Sequence, residues 1–131
     1  MKNNKQKTIG KLIKEAQISF NAYIRERDKD KPCISSNEMC ENKDCGHYYP
    51  TSTHSGLRFD EDNAHGESIR MNRFDESHLI GYGDNLKERI GIERFEALKQ
   101  KAAEYKRNGY KWTRSELEEK IVYYKQKIKE L

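Results

Sequence analysis

Two histidines and two asparagines near the middle of the chain have the side chains best suited to chemistry. His47 lies in a strand-like GHY segment, and Asn63, His65 and Asn72 follow it. An imidazole has an unperturbed pKa of about 6.5, so it can accept a proton near neutral pH. Amide and carboxylate oxygens, such as those of Asn72 and Asp44, are hard ligands that suit Mg²⁺. These residue types therefore indicate acid–base chemistry beside a divalent cation.

The order of these residues resembles the HNH motif of ββα-metal nucleases. In that motif a strand His, a loop Asn and a helix His or Asn meet around one divalent cation, and His47, Asn63 and Asn72 stand at those positions. Hydrolysis of a phosphodiester needs an activated water, neutralised charge on the phosphorane and a stabilised leaving oxygen. An imidazole can supply the first of these, and one Mg²⁺ acting as a Lewis acid can supply the other two.

A longer resemblance covers roughly residues 8–131 and is to the NinG/Rap family of lambdoid-phage recombination endonucleases. It is carried by the segments KLIKEAQISFNAYIRERDKDKPCIS, CGHYYP, LRFDEDNAHGES and GIERFEAL. The resemblance implies a Mg²⁺- or Mn²⁺-dependent endonuclease that hydrolyses phosphodiesters in branched DNA, such as Holliday junctions and D-loops. It also implies a phage- or prophage-encoded protein in a bacterial cytoplasm. A homodimer with two active sites would suit a four-way junction.

The resemblance gives each residue of the motif a role. His47 matches the general base, and Asn63 matches the residue that orients the strand bearing that base. Asn72 matches the last position of the motif and would be a metal ligand. His65, which belongs to the family's DN-x-H pattern, is a second candidate ligand.

Other residues near the motif are candidate metal ligands and candidate DNA contacts. Many HNH enzymes have an Asp ligand at the position of Gly46, and the residues that could compensate for it here are Asp44, Asp60, Asp62 and His65. Three basic side chains are expected to contact DNA phosphates: Arg58, Arg70 and Arg73.

A structural zinc site is the part of the family pattern that this sequence lacks. Related sequences have Cys-x2-Cys where this chain has Cys33–Ser36, and Cys again at the positions of Ser68 and Met71. A structural zinc needs four N or S ligands, so one remaining Cys cannot hold it. A rearranged zinc site that joins Cys40 and Cys45 to Cys33 stays an alternative. Our prediction is that the zinc is absent and that packing replaces it, with Met71 as a soft apolar filler.

Charge and composition narrow the classes of protein further. Residues 32–80 hold four Lys or Arg against nine Asp or Glu, so the net charge of +4 comes from the flanking segments. An acidic centre between basic arms suits a cation site held against a polyanion, although charge alone favours solvated helix faces. Three cysteines do not suggest a disulfide framework. No apolar run is long enough to cross a bilayer, so we expect a soluble intracellular protein without a membrane partner.

The spacing of apolar residues predicts an α+β fold in one domain, residues 1–131. Helical periodicity predicts a long N-terminal helix over 8–30. Loops and short strands then follow, and over 32–80 the resemblance implies a small ββα-metal, HNH-like centre. A helical C-terminal region over 84–131 completes the domain.

Within the centre, we assign the two strands of a hairpin to GHYY (46–49) and GLRF (56–59). A short helix from Asn63 onwards would carry the last motif residues. Two helices are predicted in the C-terminal region, the first starting near Asn85 and the second at a capping box that begins with Thr113.

Two other functions stay open at this point. Loss of the zinc cysteines is also typical of a degenerate HNH centre, which would leave a non-catalytic protein that binds branched DNA. Long amphipathic helices are typical of a helical protein-interaction module, which would not bind DNA in a salt-dependent way. We interpret the remaining histidines, His54 and His78, as surface residues.

Overall fold

The computed structural model describes residues 6–75 and 77–131, and this part of the chain is α+β. It contains five α-helices and one two-stranded antiparallel sheet. In chain order the elements are α1 (Ile9–Arg27), β1 (Lys43–His47), β2 (Ala64–Ser68), α2 (Ile69–Phe74), α3 (His78–Ile90), α4 (Ile92–Asn108) and α5 (Arg114–Lys129). None of the helices in these ranges is long and apolar enough to cross a bilayer.

The N-terminal helix α1 lies inside the range that apolar spacing predicts. Thr8 caps it, because its Oγ1 accepts a hydrogen bond from the Lys11 N–H at 3.1 Å. The apolar residues fall on one face, which packs along α5 and against the sheet. The buried apolar residues of that face are Leu12, Ala16, Phe20, Tyr23 and Ile24.

The second strand of the sheet is not GLRF, and the predicted hairpin is wrong on this point. Residues Ser55–Leu57 form a single 3₁₀ turn instead. Leu57 and Phe59 are both buried, but in two different apolar clusters. Residues two apart in a strand point to the same face, so a strand could not serve both clusters.

The strand that pairs with β1 is β2, a stretch that sequence analysis assigned to a helix starting at Asn63. The register pairs His47 with Ala64 and Gly46 with His65. The helix starts only at Ile69, because Ser68 acts as its N-cap and accepts a hydrogen bond from the Met71 N–H at 3.2 Å.

Three helices, rather than the two predicted, follow α2. Helix α3 begins at His78 instead of near Asn85, and its early glycine, Gly81, lies where a Cβ would be 2.1 Å from the carbonyl oxygen of Ser35. That glycine therefore permits close packing rather than breaking the helix. Gly91, with a φ of 86°, separates α3 from α4, since this left-handed conformation favours glycine. The capping box at Thr113 is confirmed.

The buried apolar side chains of the described residues form two clusters, with the sheet between them. The first joins α1, α5 and one face of the sheet, and it includes Phe20, Phe59, Ala64, Leu117 and Tyr124. The second joins α3 and α4 to the segments around Ile34 and Leu57, and Tyr82 brings it to the other face of the sheet.

Candidate active site

A cavity of about 320 Å³ lies beside β1, and we call it the β1 cavity. Two of the predicted motif residues, His47 and Asn72, line it together with His78 from the start of α3. Its remaining walls are Cys45, the loop residues Pro50, Thr51 and Ser52, and Leu79. The structure thus brings the first and last motif residues to one surface.

His47 ends β1, and its ring is held in a defined orientation. The ring packs against Phe20, with 6.0 Å between the ring centroids. Its Nε2 lies 3.1 Å from the carbonyl oxygen of Arg58. Because a carbonyl oxygen can only accept, Nε2 carries the hydrogen, and in a neutral ring Nδ1 keeps its lone pair. Burial lowers the pKa of His47 below its usual value, so the neutral ring predominates at pH 7.

Asn63 is fully buried and positions the loop that follows His47. Its Oδ1 accepts a hydrogen bond from the Tyr49 N–H at 2.8 Å. Its Nδ2 donates to the carbonyl oxygens of Tyr49 at 3.1 Å and Leu57 at 3.3 Å. One amide therefore fixes both sides of the segment between β1 and the 3₁₀ turn, including the approach to the Arg58 carbonyl that holds His47.

Asn72, Asp44 and Arg73 form a small network at the edge of the β1 cavity. The Nδ2 of Asn72 donates to Asp44 at 3.1 Å, and the Arg73 guanidinium makes two bonds to the same carboxylate, at 2.9 and 3.0 Å. Burial opposes the charged form of Asp44, but the Arg73 and Asn72 hydrogen bonds outweigh it and lower its pKa. Asp44 is therefore an ion-paired carboxylate that also orients Asn72.

Glu67 and His78 are site residues that sequence analysis missed. Glu67 is fully buried, and its Oε2 accepts a hydrogen bond from His78 Nδ1 at 2.7 Å. Its Oε1 is buried without a partner. A Cβ on Gly46 would lie only 2.3 Å from that oxygen, so the Glu67 carboxylate fills the space of the side chain that Gly46 lacks.

Gly46 was the signal that could have led to Glu67. The residues expected to compensate for the missing carboxylate are Asp44, Asp60, Asp62 and His65, whereas the carboxylate that lies over Gly46 is that of Glu67. His78 was interpreted as a surface residue, and this interpretation is wrong because α3 begins there and turns its ring towards β2. His54 is also buried rather than exposed, against the ring of Tyr49.

His65 does not join this group, because it projects from the opposite face of the sheet to His47. Only 3% of its surface is exposed, and its Nδ1 lies 3.4 Å from the hydroxyl of Tyr82. Burial, followed by the charge of Arg27, lowers the pKa of His65 to about 3. It lines a separate cavity of about 240 Å³, which we call the basic cavity and which is also lined by Arg27, Lys31, Glu61, Arg89 and Arg94.

The three arginines predicted to contact phosphates differ in their surroundings. Arg70 and Arg73 are exposed on α2, and Arg73 pairs with Asp44. Arg58 is partly buried, donates to Gln17 Oε1 at 3.2 Å and has a buried Nε without a partner. In Arg58 it is the backbone carbonyl, rather than the guanidinium, that contacts His47.

The positions of the expected zinc ligands meet in space. Cys33 Sγ accepts a hydrogen bond from the Ser68 N–H at 3.0 Å and lies 3.3 Å from the Ser35 hydroxyl. Burial raises the pKa of this thiol, but these hydrogen bonds outweigh burial and lower it to about 7. Within residues 6–75 and 77–131, no three His, Cys, Asp or Glu side chains are close enough together to hold a metal ion as they stand.

Comparisons with known proteins agree on one family. A family model described as "Bacteriophage Lambda NinG protein" matches residues 1–131. The protein ninG of Salmonella phage P22 is 40% identical over 120 residues, covering 91% of this chain and 57% of that protein. The ninG proteins of Escherichia phages 933W and lambda are each 38% identical over 120 residues, covering 91% of this chain and 57% and 56% of theirs.

The chain therefore spans somewhat more than half the length of these curated relatives, at 56–57% of each. No solved structure matches the chain significantly.

Proposed function

This chain belongs to the NinG family of bacteriophage proteins, and on that premise we propose that it is a divalent-metal-dependent DNA endonuclease. The β1 cavity would be its active site. The observation that carries the proposal is the setting of His47: a neutral imidazole, oriented through Nε2 by a backbone carbonyl, lines a cavity shared with Asn72 and His78.

In this proposal His47 acts as the general base through Nδ1. The Arg58 carbonyl fixes the tautomer, so the lone pair that would take a proton from water is always on the same nitrogen. Burial lowers its pKa, which keeps the ring unprotonated at pH 7. Asn63 is a positioning residue, because its three hydrogen bonds hold the chain on either side of that carbonyl.

The groups that would hold Mg²⁺ or Mn²⁺ are His78 and Asn72, with Glu67 as the carboxylate that orients His78. Glu67 accepts the Nδ1 hydrogen of His78, so Nε2 of a neutral His78 ring keeps its lone pair, as in metal-binding histidines that are oriented by a carboxylate. The amide oxygen of Asn72 adds an oxygen donor of the kind these cations prefer.

Bound there, the cation would act as a Lewis acid that neutralises charge on the phosphorane and stabilises the leaving oxygen. His65 and Asp44, the other predicted ligands, have different surroundings: His65 lies on the opposite face of the sheet, and Asp44 is already paired with Arg73. In our proposal Asp44 orients Asn72 rather than binding the metal.

The proposed substrate is branched recombination DNA, as the NinG/Rap resemblance implies. The exposed arginines of α2, Arg70 and Arg73, would meet backbone phosphates next to the cavity. A homodimer would present two such cavities to a four-way junction, and we propose it as the form that cuts both strands.

A DNA cleavage assay tests the proposed function. The substrates are a labelled four-way junction and a matched linear duplex, each with Mg²⁺, Mn²⁺ or EDTA. Wild type should cut the junction only with a divalent cation. His47→Ala should cut roughly 100- to 10,000-fold more slowly, the range expected for loss of a general base. His54→Ala, which removes a histidine outside the β1 cavity, is the matched control.

The outcomes separate the candidates. Equal rates for wild type and His47→Ala would show that this cavity is not the active site. Tight, salt-dependent junction binding without cleavage under any condition would favour a non-catalytic DNA-binding protein. Neither cleavage nor DNA binding would favour a protein-interaction module.

A further inference from the structure

The basic cavity is a feature of the fold that the proposed nuclease site does not use. It shares no lining residue with the β1 cavity. Its cationic side chains come from separate parts of the chain: Arg27 ends α1, Lys31 follows it, Arg89 ends α3 and Arg94 lies in the first turn of α4. Its volume of about 240 Å³ is several times the roughly 30 Å³ that a water molecule occupies.

The carboxylates nearby neutralise only some of these cations. Asp28 is fully buried and is bound by Arg27 through two hydrogen bonds, at 2.7 and 2.9 Å. Lys31 lies 3.6 Å from the same carboxylate, so one anion faces two cations. Arg94 pairs with Asp62. Glu61, the carboxylate in the lining, accepts a hydrogen bond from the Tyr124 hydroxyl at 3.0 Å.

Arg89 is the cation whose partners are incomplete. Its Nη2 donates to the carbonyl oxygen of Pro32 at 2.9 Å, whereas its Nη1 is buried without a partner. Among the described residues it has no ion pair within 4.0 Å. The attraction between a cation and the carbonyl end of a helix accounts for a basic residue at the end of α3. It does not account for a buried guanidinium nitrogen without an acceptor, which is costly to leave unsatisfied.

We propose that the basic cavity binds a phosphate group, with Arg89 as the principal ligand and Arg94, Lys31 and Arg27 around it. A guanidinium presents several donors in one plane and matches the oxygens of a phosphate, which is why arginine is preferred for such ligands. The cavity gathers such donors from two helix ends and a helix start, so the ligand would also join α1, α3 and α4.

Two sources of that phosphate are consistent with the same chemistry. One is a backbone phosphate of DNA, which would extend the protein–DNA contact to the face of the sheet opposite the β1 cavity. The other is a free phosphate or a small phosphate ester. The first source rests on the proposed DNA-directed function, whereas binding of phosphate as such does not.

Titration with inorganic phosphate tests the site itself. Binding to the full chain is measured by calorimetry and by thermal unfolding, with chloride at equal ionic strength as the reference. A ligand that binds the folded state raises the unfolding temperature, and the increase grows with the logarithm of its concentration divided by its Kd. Arg89→Gln should weaken phosphate binding roughly tenfold, as expected for loss of a charge-assisted hydrogen bond. Arg94→Gln, at an exposed position that folding tolerates, should weaken it less. Arg107→Gln, at an exposed position on α4 outside the cavity, should not change it.

Junction binding measured by fluorescence anisotropy in EDTA, at several salt concentrations, distinguishes the sources. If the ligand is a DNA phosphate, Arg89→Gln should lower the slope of log affinity against log salt by about 0.9, with Arg107→Gln unchanged. A normal slope together with lost phosphate binding would identify a free phosphate compound as the ligand. Unchanged phosphate affinity in both Arg89→Gln and Arg94→Gln would overturn the proposal. Because no cation is present, a failure of the cleavage test leaves these results unaffected.

Discussion

The β1 cavity and the basic cavity are built around two histidines that lie one register step apart in the same small sheet. His47 pairs with Ala64, and His65 pairs with Gly46, so the two rings project from opposite faces. His47 is only partly buried and is held by a carbonyl oxygen. His65 is almost fully buried and has a pKa of about 3. Their cavities differ as well, because four cationic side chains line the cavity of His65, whereas no described lysine or arginine lines that of His47.

This difference shows that the face of the sheet decides what each histidine can do. On the His47 side, Asn72 and His78 line the cavity and are the groups that we propose would hold a cation. On the His65 side, arginines exclude a cation and favour an anion. A register shift of one residue would turn one strand over relative to the other and bring both histidines to the same face, so their separation depends on the register.

Asn63 holds the loop beside the β1 cavity, and its replacement should have the largest effect on the free energy of unfolding. Asn63→Ala removes three hydrogen bonds and leaves the Tyr49 N–H and C=O without this partner, whereas the Leu57 carbonyl keeps its bond from the Asp60 N–H. We expect a loss of about 3 kcal/mol in the free energy of unfolding. Urea unfolding at pH 7 measures it.

Asn42→Ala, at an exposed position in the loop before β1, is the control and should change stability by less than about 0.5 kcal/mol. A similar small loss for Asn63→Ala would mean that the loop is held by other contacts, and that Asn63 has a role in chemistry alone.

His65 should make the protein sensitive to acid. Because its pKa is about 3 in the folded chain and about 6.5 when unfolded, protons bind the unfolded state more strongly. Its contribution is fully present above pH 6.5 and is lost as the pH falls towards 3. Between pH 7 and pH 5 the loss should be about 2 kcal/mol.

Urea unfolding of wild type and His65→Asn at pH 7, 6 and 5, in phosphate-free buffer, isolates this effect. The decrease in stability between pH 7 and 5 should be smaller in the variant, whatever its stability at pH 7. Parallel curves for the two proteins would show that His65 titrates normally and is not in the buried setting described above.

The predictions for Asn63 and His65 depend on contacts that the sequence does not reveal. Local patterns were sufficient for α1 and for the cap at Thr113, because helical spacing and capping act over short distances. The roles of His47, Asn63 and Asn72 stay predictions from the motif. The β2 strand was missed because AHGES has little strand character by itself and is formed by pairing with β1. Glu67 and His78 were missed because they meet only when α3 folds back against the sheet.

Replacement of Glu67 tests the proposed metal site at the β1 cavity most directly. Glu67→Gln keeps the size of the side chain but removes its charge next to His78 and Gly46. We expect at least tenfold weaker Mn²⁺ binding, measured by electron paramagnetic resonance or calorimetry in the absence of DNA. Glu119→Gln, at an exposed position on α5, removes the same charge far from the cavity and should bind Mn²⁺ as wild type does.

A second variant keeps the metal prediction testable if Glu67→Gln folds poorly. In Glu67→Ala the space over Gly46 becomes free, so adding Gly46→Asp returns a carboxylate to nearly the same place. The double variant should recover part of the Mn²⁺ affinity that Glu67→Ala loses. Equal Mn²⁺ affinity in wild type, Glu67→Gln and Glu67→Ala would rule out this carboxylate as a contributor to the metal site.

Arg73 should have the smallest effect on stability, since its own side chain is largely exposed in the pair with Asp44. The Arg73 side chain is 58% exposed, and surface ion pairs of this kind contribute less than about 1 kcal/mol. Arg73→Gln should therefore unfold almost as wild type does, with Arg70→Gln on the same helix as its control. In cleavage assays, loss of a phosphate contact should raise KM a few-fold and leave kcat unchanged. If kcat falls instead, Arg73 acts on the reaction through Asp44 and Asn72, and the orientation of Asn72 limits the rate.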